Sequence, residues 1–175
     1  NLQVVSRSDS INYSGASDYI NIVARKYHMN ITINTDKTLV YYGNRINVTG
    51  KLTNELNEAI SGATVKLMNG NTQLDTTTTD SNGNYSFNNQ LAIGNYNLTV
   101  VYAGDGSHES ITSASKTVTC RKYNTNITIN TDKSTVYYSQ TVVISGKLTN
   151  EFGNAISGAT VKLYNGNSQI ITTTT

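Results

Sequence analysis

Ile46-Asn47-Val48-Thr49-Gly50-Lys51-Leu52 alternates apolar with polar side chains, which places Ile46, Val48, Gly50 and Leu52 on one face of a β-strand. Reading outward, Ile31 and Ile33 alternate with Thr and Asn upstream, and Ala63, Val65 and Leu67 form the next inward row downstream. Asn69-Gly70 is a hairpin signal leading to a strand from Thr72 to Thr78. Asp80 to Asn84 reads as a second turn, followed by Tyr85 and Phe87 on one face. Tyr96, Leu98, Val100 and Tyr102 make another row, and after the Gly104-Asp105-Gly106 turn a last strand runs from Thr112 to Arg121. Seven short strands with no helical period predict an all-β fold, an antiparallel sandwich of two sheets.

The pattern then repeats. Asn30 to Lys37 recurs as Asn126 to Lys133, Gly50 to Glu55 as Gly146 to Glu151, and Ala59 to Leu67 as Ala155 to Leu163, always 96 residues on. Of the 53 positions from Tyr27 to Thr79, 35 are identical at that spacing. The register also runs backwards: Asn1, Leu2, Val4, Val5, Asp9, Arg25 and Lys26 match Asn97, Leu98, Val100, Val101, Asp105, Arg121 and Lys122. A fixed period without insertion reads as a tandem array. Residues 1–26 are then the C-terminal strands of a preceding repeat, 27–122 a complete repeat, and 123–175 the N-terminal strands of a following one. Half a sandwich has an open core and unpaired edges, so both end pieces are expected to be completed either by a longer chain or by strands of a neighbouring copy. Only Arg121 to Tyr123, or Arg25 to Tyr27 earlier, joins one repeat to the next, and so short a connector implies a rod.

Composition narrows the function. With 12 Tyr, 2 Phe, no Trp, no Pro and 14% charged residues, the 175-residue chain suits exposed β-surface, because Thr and Tyr favour strands and Asn and Gly favour turns. A net charge of +2 gives no reason to expect nucleic acid as a partner. No apolar run approaches the roughly 20 residues of a membrane-spanning helix. Cys120 is the single cysteine, which excludes an intrachain disulfide; its counterpart is Ala24, and both read as small inward residues. The two histidines, His28 and His108, face Asn124 and Asn12 at the repeat spacing, and no nucleophile motif, metal-spaced cluster or phosphate loop accompanies them. No catalytic, cofactor-binding or metal residue is assigned, and the chain is not expected to be an enzyme.

Tyr96 stands two residues before inward Leu98, where a tyrosine corner of an immunoglobulin-like sandwich would stand before its second core cysteine. Val48-Thr49-Gly50-Lys51-Leu52, Ile60-Ser61-Gly62-Ala63-Thr64-Val65, Thr79-Asp80-Ser81-Asn82-Gly83-Asn84-Tyr85-Ser86-Phe87, Gly94-Asn95-Tyr96 and Val101-Tyr102-Ala103-Gly104-Asp105 together resemble the bacterial-type Ig-like repeat. Such repeats occur in tandem in adhesin-like surface proteins of methanogenic archaea and of bacteria, so the resemblance implies an extracellular, cell-surface location and a spacer role. In the first stretch Ser6-Arg7-Ser8-Asp9 departs from the Tyr-Ala-Gly-Asp pattern.

Several motifs have both a functional and a plain reading. Asp80 to Asn84 carries oxygen side chains like half a calcium loop, with Asp75 and Asp105 as additional ligands, but its glycine is misplaced and Leu91 stands where the bidentate Glu belongs, so a tight turn is expected. Sequons at Asn12, Asn30, Asn47, Asn84, Asn97 and Asn126 match chance for a chain with 24 Asn; position favours Asn30, Asn84 and Asn126 as candidate glycosylation sites of a glycoprotein. A Lys–Asn crosslink would need a buried lysine, whereas Lys51 and Lys66 alternate against the inward rows and Lys37 lies near a loop. The Thr76–Thr79 and Thr172–Thr175 runs make flat polar edges, and Tyr41-Tyr42 and Tyr137-Tyr138 offer a sugar-stacking surface or a core-and-rim pair. The reading that follows is a structural segment of an extracellular fibre, stalk or adhesin-like protein, a head-to-tail rod whose partners are neighbouring repeats or copies of itself. The alternative is a carbohydrate-binding adhesion module that recognises cell-surface glycan.

Overall fold

The computed structural model describes residues 2–5, 17–20 and 22–175, for the first two stretches as backbone only. Its strands divide between two compact units, residues 1–37, 46–89 and 96–118 forming the first and residues 38–45, 90–95 and 119–175 the second. The sequon at Asn12 and the Ser6–Asp9 departure lie outside the described residues.

In the first unit β1 (Leu2–Val5) pairs antiparallel with β2 (Ser17–Ile20). β3 (Met29–Ile31) and β4 (Asn34–Thr35) both pair antiparallel with β6 (Arg45–Asn54), a ten-residue spine that begins after β5 (Leu39–Tyr41). β9 (Asn84–Gln90) also pairs with β6 and completes one sheet. In the other, the hairpin of β7 (Thr64–Asn69) and β8 (Thr72–Thr78) turns at Gly70, and β10 (Gly94–Tyr102) lies antiparallel to β7 with Val100 opposite Leu67. The inward rows are those of the alternation: Ile46, Val48, Leu52, Val65, Leu67, Leu98 and Val100 are fully buried, as are Tyr85 and Phe87 to within 3%. At about 25 cal/mol per Å² of apolar surface removed from water, burial of these rows is the dominant stabilising term. Lys51 and Lys66, on alternate positions, are exposed.

Gly50 sits in the inward row for a reason of space. A Cβ at this position would fall on the Thr32 carbonyl oxygen and the Tyr85 hydroxyl. That hydroxyl donates to the same carbonyl, and burial alone raises the Tyr85 pKa above its ordinary value. Lys51 N–H donates to Thr32 Oγ1 at 3.0 Å, so the backbone of Thr32 is drawn onto β6 where a side chain would otherwise stand.

Three expectations need correction. The strand read from Thr112 to Arg121 is two, β11 (Ile111–Thr112) and β12 (Lys116–Arg121). Between them Ser113 is buried and its Oγ accepts the Val100 N–H at 2.9 Å, so a side chain takes a place in the ladder and the strand breaks. The sheets are also not wholly antiparallel. In the second unit β5 runs parallel to the end of β12, with Val40 beside Cys120 and Tyr41 beside Arg121. The chain bends at Asp36 and Thr38 before β5, and alternation carries no information about strand direction. Val40 and Cys120 are each 1% exposed, and the thiol lies 3.4 Å from the Leu91 carbonyl oxygen. The inward reading fails at Ala24, the counterpart of Cys120, which is exposed, as is Ile22 two residues before it.

The rest of the second unit reproduces the first strands of the sandwich, shifted by 96 residues. β13 (Thr125–Ile127) pairs with β16 (Leu148–Asn150), β14 (Asn130–Thr131) with β15 (Ile144–Ser145), and β17 (Thr160–Asn165) with β18 (Ser168–Thr174), both hairpins β7–β8 and β17–β18 having a register shift at the same place. A Cβ on Gly146 would fall on the Thr128 carbonyl oxygen, as at Gly50. Burial is what differs: Ile129 is 64% exposed where Ile33 is 5%, and Ile144 42% where Val48 is 0%. Residues 123–175 carry counterparts of 27–79 only, and so none of Tyr85, Phe87, Leu98 and Val100.

Replacing Gly50 with Ala should destabilise the chain by about 1 to 3 kcal/mol through displacement of Thr32, and Leu98→Ala by about 2 to 5 kcal/mol. Urea unfolding followed by amide exchange in β6, β7 and β10 measures both, and an unchanged Gly50→Ala midpoint would contradict the close approach at Thr32.

Candidate functional site

The arrangement that stands out is an arginine–glutamate clamp that occurs twice. Arg25 donates from both terminal nitrogens to Glu55, each at 2.8 Å, and Arg121 does the same to Glu151 at 2.8 and 2.7 Å. Arg25 and Arg121 are 96 residues apart, as are Glu55 and Glu151. Two parallel N–H···O bonds match the planar guanidinium fork to the carboxylate, a geometry lysine cannot copy. Each arginine also donates from Nη1 to the carbonyl of the next residue, Lys26 at 3.1 Å and Lys122 at 3.0 Å, which orients the fork. Each glutamate is aimed by the asparagine before it. Asn54 Oδ1 accepts the N–H groups of Leu56 and Glu58, and Asn150 Oδ1 those of Phe152 and Asn154, all at 3.0 Å. The third residue after each asparagine takes a left-handed backbone, Asn57 at φ 61° and Gly153 at φ 79°. Asn and Gly are the residues that adopt this conformation at least cost. The bonds to arginine are the main cause holding both glutamates below their ordinary pKa and both arginines above theirs.

The surroundings of the two clamps differ. Around Arg121, all within the second unit, Tyr41 and Tyr123 stack with centroids 4.1 Å apart and planes 12° from parallel. Phe152 presents its edge to both at 5.6 and 6.0 Å, and the Arg121 guanidinium lies 5.0 Å from the Tyr41 centroid. Such ring pairs each contribute about 0.5 to 1.5 kcal/mol beyond area burial. Around Arg25, all within the first unit, Tyr27 N–H donates to the Ser107 carbonyl, Lys26 Nζ to the Asp105 carbonyl at 2.6 Å, and His28 Nδ1 lies 2.5 Å from Glu109. Tyr27 and His108 rings lie 5.8 Å apart. Asp105 is held well below the usual carboxylate range, first by His108, then by the Ser107 N–H and the Tyr102 hydroxyl; burial and this bond push Tyr102 up to about 12.

The residues singled out in the sequence are scattered. Asp80 Oδ1 accepts the N–H groups of Asn82 and Asn84 at 2.8 Å, and Gly83 N–H closes the turn on the Asp80 carbonyl, so the oxygens of the supposed calcium loop serve the turn itself. Asp75 instead accepts from Asn89 Nδ2 at 2.9 Å and Asp105 from His108. Among the described residues no group of three or more His, Cys, Asp or Glu is placed to hold a metal ion. Asn30, Asn84 and Asn126 are all exposed, with the amide of Asn30 3.4 Å from the Asn54 carbonyl and that of Asn84 3.3 Å from Asp80. Tyr42, Tyr137 and Tyr138 are exposed, whereas the Tyr41 ring is half-buried, stacked on Tyr123 with the Phe152 edge and the Arg121 guanidinium beside it. Thr79 is buried, its hydroxyl donating to the Ile60 carbonyl at 2.6 Å and accepting from Ala63, and Thr175 repeats both bonds with Ile156 and Ala159. The clamps escaped the sequence reading, although Arg25, Arg121, Glu55 and Glu151 all recur in register and each pair is 30 residues apart.

Asp80 is lowered chiefly by the Asn84 N–H, so its stabilising effect is complete above the ordinary carboxylate range and lost as pH falls through the lowered value. Asp80→Ala should therefore speed exchange of the Asn84 amide at neutral pH and have little effect in strong acid. Calcium should leave the melting temperature unchanged; a rise would restore the cation reading. Cys120 should react with a thiol reagent slowly in the native state and quickly on unfolding, and fast native labelling would contradict its burial.

Among the described residues no helix is long and apolar enough to cross a membrane. No curated protein matches the chain. The pattern of the bacterial Ig-like domain (group 3) matches residues 33–121, from the Ile33 row through the clamp arginine Arg121. With strands in several sheets, no helix among the described residues, and that match over half its length, the chain belongs to the bacterial Ig-like domain family, group 3.

Proposed function

We propose that this chain is a non-enzymatic structural segment of an extracellular surface protein, a run of Ig-like repeats that serves length and display. Residues 27–122 are one complete repeat, 1–26 the C-terminal strands of the repeat before it, and 123–175 the N-terminal strands of the one after it. The observation that carries this reading is the return of the same strands, the same glycine contact and the same clamp 96 residues apart. Membership of a family whose domains are often found in surface proteins supports the location. The open rows Ile127, Ile129 and Ile144 and Val161, Leu163 and Ile171 line a groove of about 670 Å³, and on this reading they take strands patterned like Tyr85 to Cys120. Engagement of the Tyr41 ring by Tyr123 and Phe152 speaks against sugar stacking at that residue.

Two measurements test the proposal. Appending a second copy of residues 80–122 after Thr175 should protect the amides of Val161 and Leu163 from exchange, and unchanged exchange would refute the repeat boundaries. Antibody against residues 27–122 should label intact, unpermeabilised cells that make the protein, whereas labelling only after permeabilisation would refute surface display.

A further inference from the structure

We propose that the arginine–glutamate clamp is the lock by which one Ig-like module grips the next, and that it selects its partner: a module whose first long strand ends in Asn-Glu followed by an apolar residue. This deepens the structural reading above and rests on it. The donor half lies at the end of a module, Arg121 as the last residue of β12 and Arg25 at the matching position in an exposed stretch outside any strand, and the acceptor half is a turn 30 residues further on, in the next module's sequence. Arg121 is pinned before it reaches Glu151, because its carbonyl accepts the Tyr42 N–H at 2.8 Å and its backbone runs in register with Tyr41 of β5. Glu151 is pinned too: the Asn150 side chain closes its turn, and Glu151 Oε1 accepts the Asn124 N–H at 3.1 Å. Two preorganised halves lose little freedom on meeting, which separates this pair from an ordinary mobile surface ion pair.

The apolar contact adds a second requirement. Phe152, next to Glu151, sets its edge against the Tyr41–Tyr123 stack, so one turn presents both the charge and the ring. The same turn at the other clamp presents Glu55 and Leu56. Recurrence of the fork, the Nη1 bond to the next carbonyl and the asparagine-closed turn at both positions marks a built device, since an incidental ion pair has no reason to return with its supporting bonds. A module with lysine or an acidic residue in place of Arg121 would not seat on this turn.

Charge reversal tests this in the 175-residue chain. Spin labels at Lys66→Cys and Lys162→Cys, in a Cys120→Ala background, report a distance distribution. Arg121→Glu alone and Glu151→Arg alone should each broaden it, and the double variant Arg121→Glu/Glu151→Arg should narrow it again. Glu151→Gln should broaden it in the same direction with the smallest disturbance of the fold. Slow amide exchange in β7 and β10 verifies that each variant stays folded. A distribution unaffected by the single changes, or broadened equally by the double one, would overturn the lock. The appended-strand experiment does not depend on the clamp, so protection of Val161 and Leu163 there with no effect of charge reversal here would remove the lock and leave the repeat reading standing.

Discussion

Everything in this chain depends on two rows of aliphatic side chains finding cover. Ile46, Val48 and Leu52 on one sheet and Val65, Leu67, Leu98 and Val100 on the other leave no surface exposed. With no disulfide open to its single cysteine, the sandwich is held by this burial and by the hydrogen-bond ladders around it. The contrast with residues 123–175 is a natural control. There the same local bonds form, from the Thr128–Lys147 exchange to the Thr175 hydroxyl bridge, while the aliphatic row of β13 to β15 lies open. Local hydrogen bonding sets the shape of each strand pair, and cover of the rows decides whether a core exists.

Polar side chains hold the irregular places. Asp36 and Asp132 each accept a backbone N–H from the strand opposite, at Asn47 and Val143; Asp80 closes its own turn; Asp105 gathers Ser107, His108 and Tyr102. Each of these side chains accepts at least one backbone N–H, and Asp80 and Asp105 accept neighbouring side chains as well, so acidic residues that look like ligands in the sequence are engaged within their own turns. Most charged side chains at the clamps are paired across many residues, Arg25 with Glu55 and Arg121 with Glu151, while lysines such as Lys51 and Lys66 remain on the solvent face.

At the second clamp the strand end at Arg121 and the turn at Glu151 are tied by a bidentate pair. Ion pairs of this exposure contribute little alone. Stacked Tyr41 and Tyr123 with the Phe152 edge supply an apolar contact beside Arg121, and Asn44 Nδ2 approaches the Tyr123 hydroxyl at 3.5 Å.

The sequence by itself determined most of the strands and the faces of the inward rows of 46–52, 65–67 and 98–102. Alternation, the Asn69-Gly70 turn and the Asp80 to Asn84 turn are local signals that act over a few residues, and the 96-residue register made the strands of 123–175 legible from those of 27–79. The burial of Cys120, Leu98 and Val65 and the exposure of Lys51 and Lys66 follow from the same period. What only the tertiary structure decided depends on the path of the chain through space. The parallel course of β5 beside β12, the break at Ser113 and the stacking of Tyr41 on Tyr123 each join residues that no local period connects. The pairing of Arg121 with Glu151 is of this kind as well: both recur in register, but recurrence marks a position as repeated and says nothing of its partner. That partner is fixed by where a turn 30 residues on comes to rest, a matter of backbone geometry rather than of pattern.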